Sequence, residues 1–131
     1  MSKCHLRSID KSQKQSMPRD QLFLLQHPFE DPAFPGQEFY CWHCALIEGV
    51  LSAFPSRGAN LDVRRLAWAR PRTELVERLD ADHQSLPVLI LGMASSAPQV
   101  ARFLKGRAYV DDAFAILQLL VSLHGFPAPH P

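Results

Sequence analysis

No single sign of charge dominates this sequence: 14 lysines and arginines stand against 13 aspartates and glutamates among 131 residues. Such a balance creates no basic field to hold nucleic acid or an anionic membrane by bulk attraction, so neither is expected as a partner. Long apolar runs are also missing. Nothing approaches the ~20 residues of a membrane span, and residues 1–20 hold no continuous apolar stretch of the secretory kind. The chain therefore reads as cytoplasmic. Cysteine is scarce, with Cys4, Cys41 and Cys44 as the full set. In a reducing compartment three thiols make no structural disulfide framework. No internal repeat is present.

What the sequence does have is enough apolar content, 47%, to fill one core without metal or disulfide. Residues 1–20 are polar and are expected to be a disordered tail that carries Cys4. Met17 stands just before the first hydrophobic run, so the segment ahead of it reads as an upstream-start extension. Residues 21–131 are expected to form a single domain. Leu22 to Leu25 is a short apolar run suited to a strand buried on both faces. Pro28, Pro32, Pro35 and Gly36 then make Gln26 to Gln37 a loop.

From Cys44 onward, Ile47, Val50, Leu51 and Phe54 share one helical face until Pro55 stops the pattern, so a helix begins at or near Cys41. Leu61 to Trp68 reads as a second strand. Pro71, at a first helical turn, opens a short helix with Leu75, Val76 and Leu79. Pro87 to Leu91 is a third, buried strand, and Arg107 to Val110 a fourth. Asp111 is placed to cap a last helix carrying Ile116, Leu117, Leu120, Val121 and Leu123, which Gly125 and Pro127 end. The order β-α-β-α-β-β-α predicts an α/β domain with a mixed four-stranded sheet flanked by helices.

Cys41-Trp42-His43-Cys44 is the segment that carries chemistry. A Cys-x-x-Cys at the first turn of a helix sets its leading sulfur beside free backbone N–H groups and the positive end of the helix dipole, both of which stabilise a thiolate. One-turn spacing lets Cys44 attack a mixed disulfide formed by Cys41. His43, when protonated, adds positive charge beside the thiolate and makes the pair's disulfide more oxidising.

The run Leu22 to Leu25, then Cys41-Trp42-His43-Cys44 opening a helix, then Ser85-Leu86-Pro87 just before a strand, resembles the thioredoxin superfamily, glutaredoxins included. The resemblance implies a thioredoxin-like fold in which Pro87 is a cis-proline facing the cysteines. There Leu86 and Pro87 present backbone to a peptide or glutathione strand. The x-His filling between the cysteines is similar to that of the superfamily's disulfide oxidases and isomerases. Asp112-Ala113-Phe114-Ala115-Ile116 resembles the start of the last helix in glutathione-transferase N-terminal domains, where an acid-Ser pair holds the γ-glutamyl end of glutathione; Ala113 lacks that hydroxyl. Phe29 to Cys44 is also similar to a bacterial family of thioredoxin-like domains of unknown function.

The expected activity is thiol–disulfide exchange: Cys41 as nucleophile, Cys44 as resolving thiol and His43 tuning the pair. Tyr40, Trp42, Leu86, Pro87 and Asp112 then line the substrate, a protein disulfide or glutathione. No cofactor is required, with glutathione as the one candidate cosubstrate. Two other classes stay open. One is a glutathione- or peptide-binding module without turnover. The other is a zinc-binding interaction protein in which His43, His27, His83 or Cys4 completes the ligands, although no second well-spaced pair exists. Plainer readings stand beside the sharp ones. His43 is a polar residue on an exposed turn, Trp42 packs on the proline-rich loop 27–38, and Asp112 is an acid favoured at a helix N-terminus. Arg64, Arg65, Arg70 and Arg72 either recognise an anion or line a solvated strand edge.

Overall fold

A computed structural model describes residues 18–93 and 97–131 of the chain. Along the sequence run β1 (Gln21–Leu25), β2 (Phe29–Glu30), β3 (Glu38–Phe39), α1 (Trp42–Ala53), β4 (Asp62–Leu66), α2 (Thr73–Arg78), β5 (Val88–Ile90), β6 (Arg102–Leu104), β7 (Arg107–Val110) and α3 (Ala113–His124). Five strands form one mixed sheet in the order β4-β1-β5-β7-β6. β1 runs parallel to β4 and antiparallel to β5, and β7 is antiparallel to both β5 and β6.

Alternation along the strands sorts side chains to two faces. Leu22, Leu24, Leu89, Ala108 and Val110 point into a core closed by Cys44 and Ile47 of α1 and by Ala113, Ile116, Leu119 and Leu120 of α3. Phe23, Val88, Ile90 and Tyr109 point the other way, onto Leu75 of α2 and Leu79 just after it. Helices thus cover both faces, two on one and one on the other. The expected α/β class and mixed sheet are present, with five strands instead of four.

Several local expectations need correction. The added strand is β6, which exists because Lys105 and Gly106, with φ of 52° and 72°, fold it tightly back onto β7. The loop predicted over Gln26 to Gln37 contains β2, which pairs with β3 through Phe29 and Phe39. Asp112, not Asp111, caps α3, its carboxylate accepting the Ala115 N–H at 2.9 Å. Pro71 lies outside α2, whose cap is Arg72.

Of the predicted tail, residues 1–17, with Cys4, lie outside the described residues. Its last residue, Asp20, is firmly tied. Its backbone carbonyl accepts the Asp62 N–H at 3.0 Å, and its carboxylate accepts the Gly92 N–H at 2.9 Å while meeting His124 Nε2 at 2.8 Å. The hydrogen bond from His124 is the main influence holding the Asp20 carboxyl below its ordinary value, against a smaller opposing effect of burial. Gly92 leaves room for this crossing: a Cβ there would stand 2.8 Å from the Pro18 carbonyl carbon and 2.9 Å from that of Arg19. Backbone cannot yield as a side-chain tip can. Gly92→Ala is therefore expected to lower stability by about 1–3 kcal/mol, read as a lowered denaturant midpoint; an unchanged midpoint would mean that the Pro18–Asp20 segment moves aside freely.

Candidate active site

Cys41 is the N-cap of α1, in extended backbone conformation. Its carbonyl accepts the Ala45 N–H at 2.8 Å, and its sulfur accepts the Cys44 N–H at 3.4 Å, so the Sγ occupies the place of a capping oxygen among the helix's free amides. The Cys41 N–H donates to His27 Nε2 at 3.0 Å. Both cysteines are free thiols, Cys41 half-buried and Cys44 buried. Cys44 is 0% exposed, and its sulfur receives the Leu25 N–H at 3.4 Å. Burial is the largest influence on the Cys44 thiol, pushing it from an ordinary 9.0 up to about 12, with Cys41 and Glu48 adding to the rise and the Leu25 N–H opposing it. Cys44 therefore keeps its proton at neutral pH.

Sheet register places the remaining sequence-chosen residues at this same end. Val88, the first residue of β5, faces Phe23, so Leu86 and Pro87 enter the sheet at the end where β1 runs on to Leu25. Val110, the last residue of β7, faces Leu89, so Asp112 follows β7 at the same end of the sheet. The Leu86–Pro87 peptide is cis. Pro87 is buried, while Leu86 is half-buried and packs against both cores. Around Cys41, Tyr40 is 68% and Trp42 59% exposed. The indole stacks on the His43 ring at 3.9 Å between centroids, and His43 turns its edge toward Phe114 of α3 at 6.5 Å. Asp112 is exposed, and one of its oxygens is engaged in capping α3.

A family model described as a protein of unknown function (DUF3088) matches residues 19–128, which include every residue of this site. The chain belongs to the DUF3088 family. Comparison with curated proteins and with solved structures returned no match.

The DUF3088 domain also brings to the cysteines residues that the sequence did not single out for this place. His27, weighed earlier only as a metal ligand, holds the Cys41 amide. Phe29 stacks on His27 at 6.4 Å and on Trp68 at 6.2 Å, linking the β2–β3 ribbon to the chain after β4. Among the four arginines, Arg64 pairs with Asp62 and Glu74, and Arg65 binds Glu48 through two contacts of 2.7 and 2.8 Å. Arg72 is buried. An alternation of arginine with apolar residues carries no signal that separates these fates.

Among the described residues no three His, Cys, Asp or Glu side chains gather as a metal ion would require. Likewise, no helix among them is long and apolar enough to cross a membrane.

The raised Cys44 thiol has a measurable consequence for stability. Between its ordinary 9.0 and about 12 the folded state keeps a proton that the unfolded chain releases, so stability is full below that window and falls as pH rises through it. Alkaline unfolding curves are expected to show this decline in the native chain and a shallower one in Cys44→Ala. Identical slopes in the two proteins would contradict it.

Proposed function

We propose that this DUF3088 domain is a thioredoxin-like thiol–disulfide oxidoreductase acting through Cys41 and Cys44. The element pairing supports a thioredoxin-like reading: a parallel β1–β4 pair joined through α1, an antiparallel β5–β7 pair, α1 and α3 on one face and α2 on the other. The observation that carries the activity is the asymmetry of the two sulfurs. One sits half-exposed at a helix start beside free amides, and the other lies buried one turn beneath it.

In this reading the Cys41 thiolate attacks one sulfur of a substrate disulfide. That S–S bond breaks, a Cys41–substrate disulfide forms, and the departing thiolate takes up a proton. The Cys44 thiol then gives up its proton to solvent or to the departing thiolate, and its sulfur attacks Cys41. The second substrate thiol leaves, and the pair remains as a disulfide. Two electrons have passed from the cysteines to the substrate, and a dithiol or glutathione returns them. Run in reverse, the same steps oxidise a dithiol. His43, stacked under Trp42, is assigned the tuning of charge near Cys41, while Leu86, Pro87 and Asp112 are assigned to the substrate side.

The test is disulfide exchange by single-cysteine variants, developed in the Discussion. Loss of the exposed thiol stops the cycle and loss of the buried one arrests it midway. If neither variant alters turnover while reduced glutathione still binds in a calorimetric titration, the domain is a binding module that keeps the arrangement without the reaction.

A further inference from the structure

The segment that delivers Cys41 to α1 contains a residue outside the cysteine motif, His27, whose ring accepts the Cys41 backbone N–H. We propose that His27 is a positioning residue that locks Cys41 at the start of α1 while its imidazole is neutral and releases it when the ring is protonated.

The direction of one hydrogen bond carries the argument. Cys41 donates its backbone N–H to His27 Nε2 at 3.0 Å. A backbone amide has no other role than donor, so Nε2 must present its lone pair, and the ring carries its hydrogen on Nδ1. An imidazolium has N–H groups at both nitrogens and nothing to offer a donor. Protonation therefore does more than weaken this contact. It sets two N–H groups against each other.

The ring is well built for the task. It is half-buried, stacked on Phe29 at 6.4 Å and set edge-on against Tyr40 at 6.4 Å. Phe29 is itself stacked on Trp68, so the imidazole rests against the body of the domain rather than swinging with the loop. This is the one side-chain acceptor bonded to Cys41 among the described residues, and its loss frees the entry to the helix on whose first turn the sulfur depends.

The groups facing His27 are few. From α1 comes the Glu48 carboxylate, which is held below its ordinary value first by its hydrogen bond from Arg65 and, more weakly, by the charge of His27. From the loop comes the Tyr40 ring; Phe29 and Trp68 contribute no charge. Glu48 is thus the acid that attracts an imidazolium at this place, and Arg65 already occupies both of its oxygens.

The functional meaning of the lock rests on the reading of Cys41 as the nucleophile, but its test does not. In the reduced, 15N-labelled full chain, the Cys41 amide signal and its hydrogen-exchange rate are followed against pH alongside the His27 ring signals. The native Cys41 amide is expected to shift in step with the ring. After correction for intrinsic pH dependence, it should exchange about tenfold more slowly on the alkaline side.

His27→Gln offers a side-chain oxygen of similar reach that accepts at every pH, so the step should vanish and protection persist. His27→Leu should remove the protection throughout. A native Cys41 amide indifferent to the ring's titration, or a step surviving in His27→Gln, overturns the lock. If His27→Leu fails to fold, the native titration and His27→Gln still decide. Disulfide exchange failing with the lock intact removes the oxidoreductase reading alone; exchange intact with an indifferent amide removes the lock alone.

Discussion

Cys41→Ser is expected to bring disulfide exchange down to the uncatalysed background, whereas Cys44→Ser is expected to accumulate a stable mixed disulfide between Cys41 and half of the substrate. The two outcomes differ because the two sulfurs differ in access. Cys41 is half-buried at the mouth of α1, while Cys44 has no exposed surface through which a substrate could reach it. A serine hydroxyl at the cap still accepts the Cys44 N–H, so the first variant keeps its fold and loses only its nucleophile. In the second, attack proceeds but nothing underneath expels the substrate. Mass spectrometry reads the adduct directly, and a Cys4→Ser background prevents the third thiol from resolving it. Exchange at native rates in the Cys41→Ser protein would refute the proposed mechanism. An adduct absent from Cys44→Ser would remove Cys44 from its role as resolving thiol.

Arg72→Leu should cost about 3–5 kcal/mol of stability, a large share of the 5–15 kcal/mol of a typical domain. Arg72 is only 8% exposed and carries its charge inward, with no carboxylate partner among the described residues. Its guanidinium donates instead to three backbone carbonyls: Ala67 at 3.2 Å, Trp68 at 2.7 Å and Gln84 at 2.6 Å. Its own N–H donates to Gln84 Oε1 at 2.6 Å. Burial above all, and the like charge of Arg70 second, push its pKa below the ordinary arginine value. Leucine fills the space and leaves the carbonyls without a donor.

The fork ties the segment after β4 to the one that leads into Leu86 and Pro87, so the damage is expected to reach the site as well as the core. Arg72→Lys should recover only part of the loss, because one ammonium cannot span three carbonyls in a planar fork. Chemical denaturation measures both variants. A loss of under about 1 kcal/mol for Arg72→Leu would show that water replaces the guanidinium at little expense.

The elements that sequence made legible are those whose signal is local. Leu22 to Leu25 and Val88 to Ile90 are apolar without interruption because both faces are covered, and α1 and α3 repeat their buried residues at helical spacing. What escaped depends on distant partners. Two residues each of β2 and β3 are too few for any period, and they are held by the aromatic contacts of Phe29 with Phe39 and Trp68. β6 alternates poorly and becomes a strand through its turn; Gly106, two residues after Leu104, was the signal available.

The site follows the same division. The cysteine pair was visible as a motif, and its asymmetry of burial was not. Arg72 could not be told from Arg64 or Arg65, because a charge ordinarily points to solvent and only the fold supplies three inward carbonyls. His27 gave no sign of its bond to Cys41, since thirteen intervening residues must first fold back upon themselves.

Position within the sheet imposes an order on synthesis. Among the described elements β1 emerges from the ribosome first, yet its two neighbours are β4 and β5, which lie far along the chain. Until Leu66 has emerged, the nascent chain carries Leu22 to Leu25 with both edges bare; until Ile90 has emerged, one edge stays open. Apolar strands with unsatisfied edges are the segments that pair with wrong partners. A strand covered on both faces in the finished domain is therefore the one exposed longest while it is being made, and a stalled or truncated product would present it to chaperones and to other copies of itself.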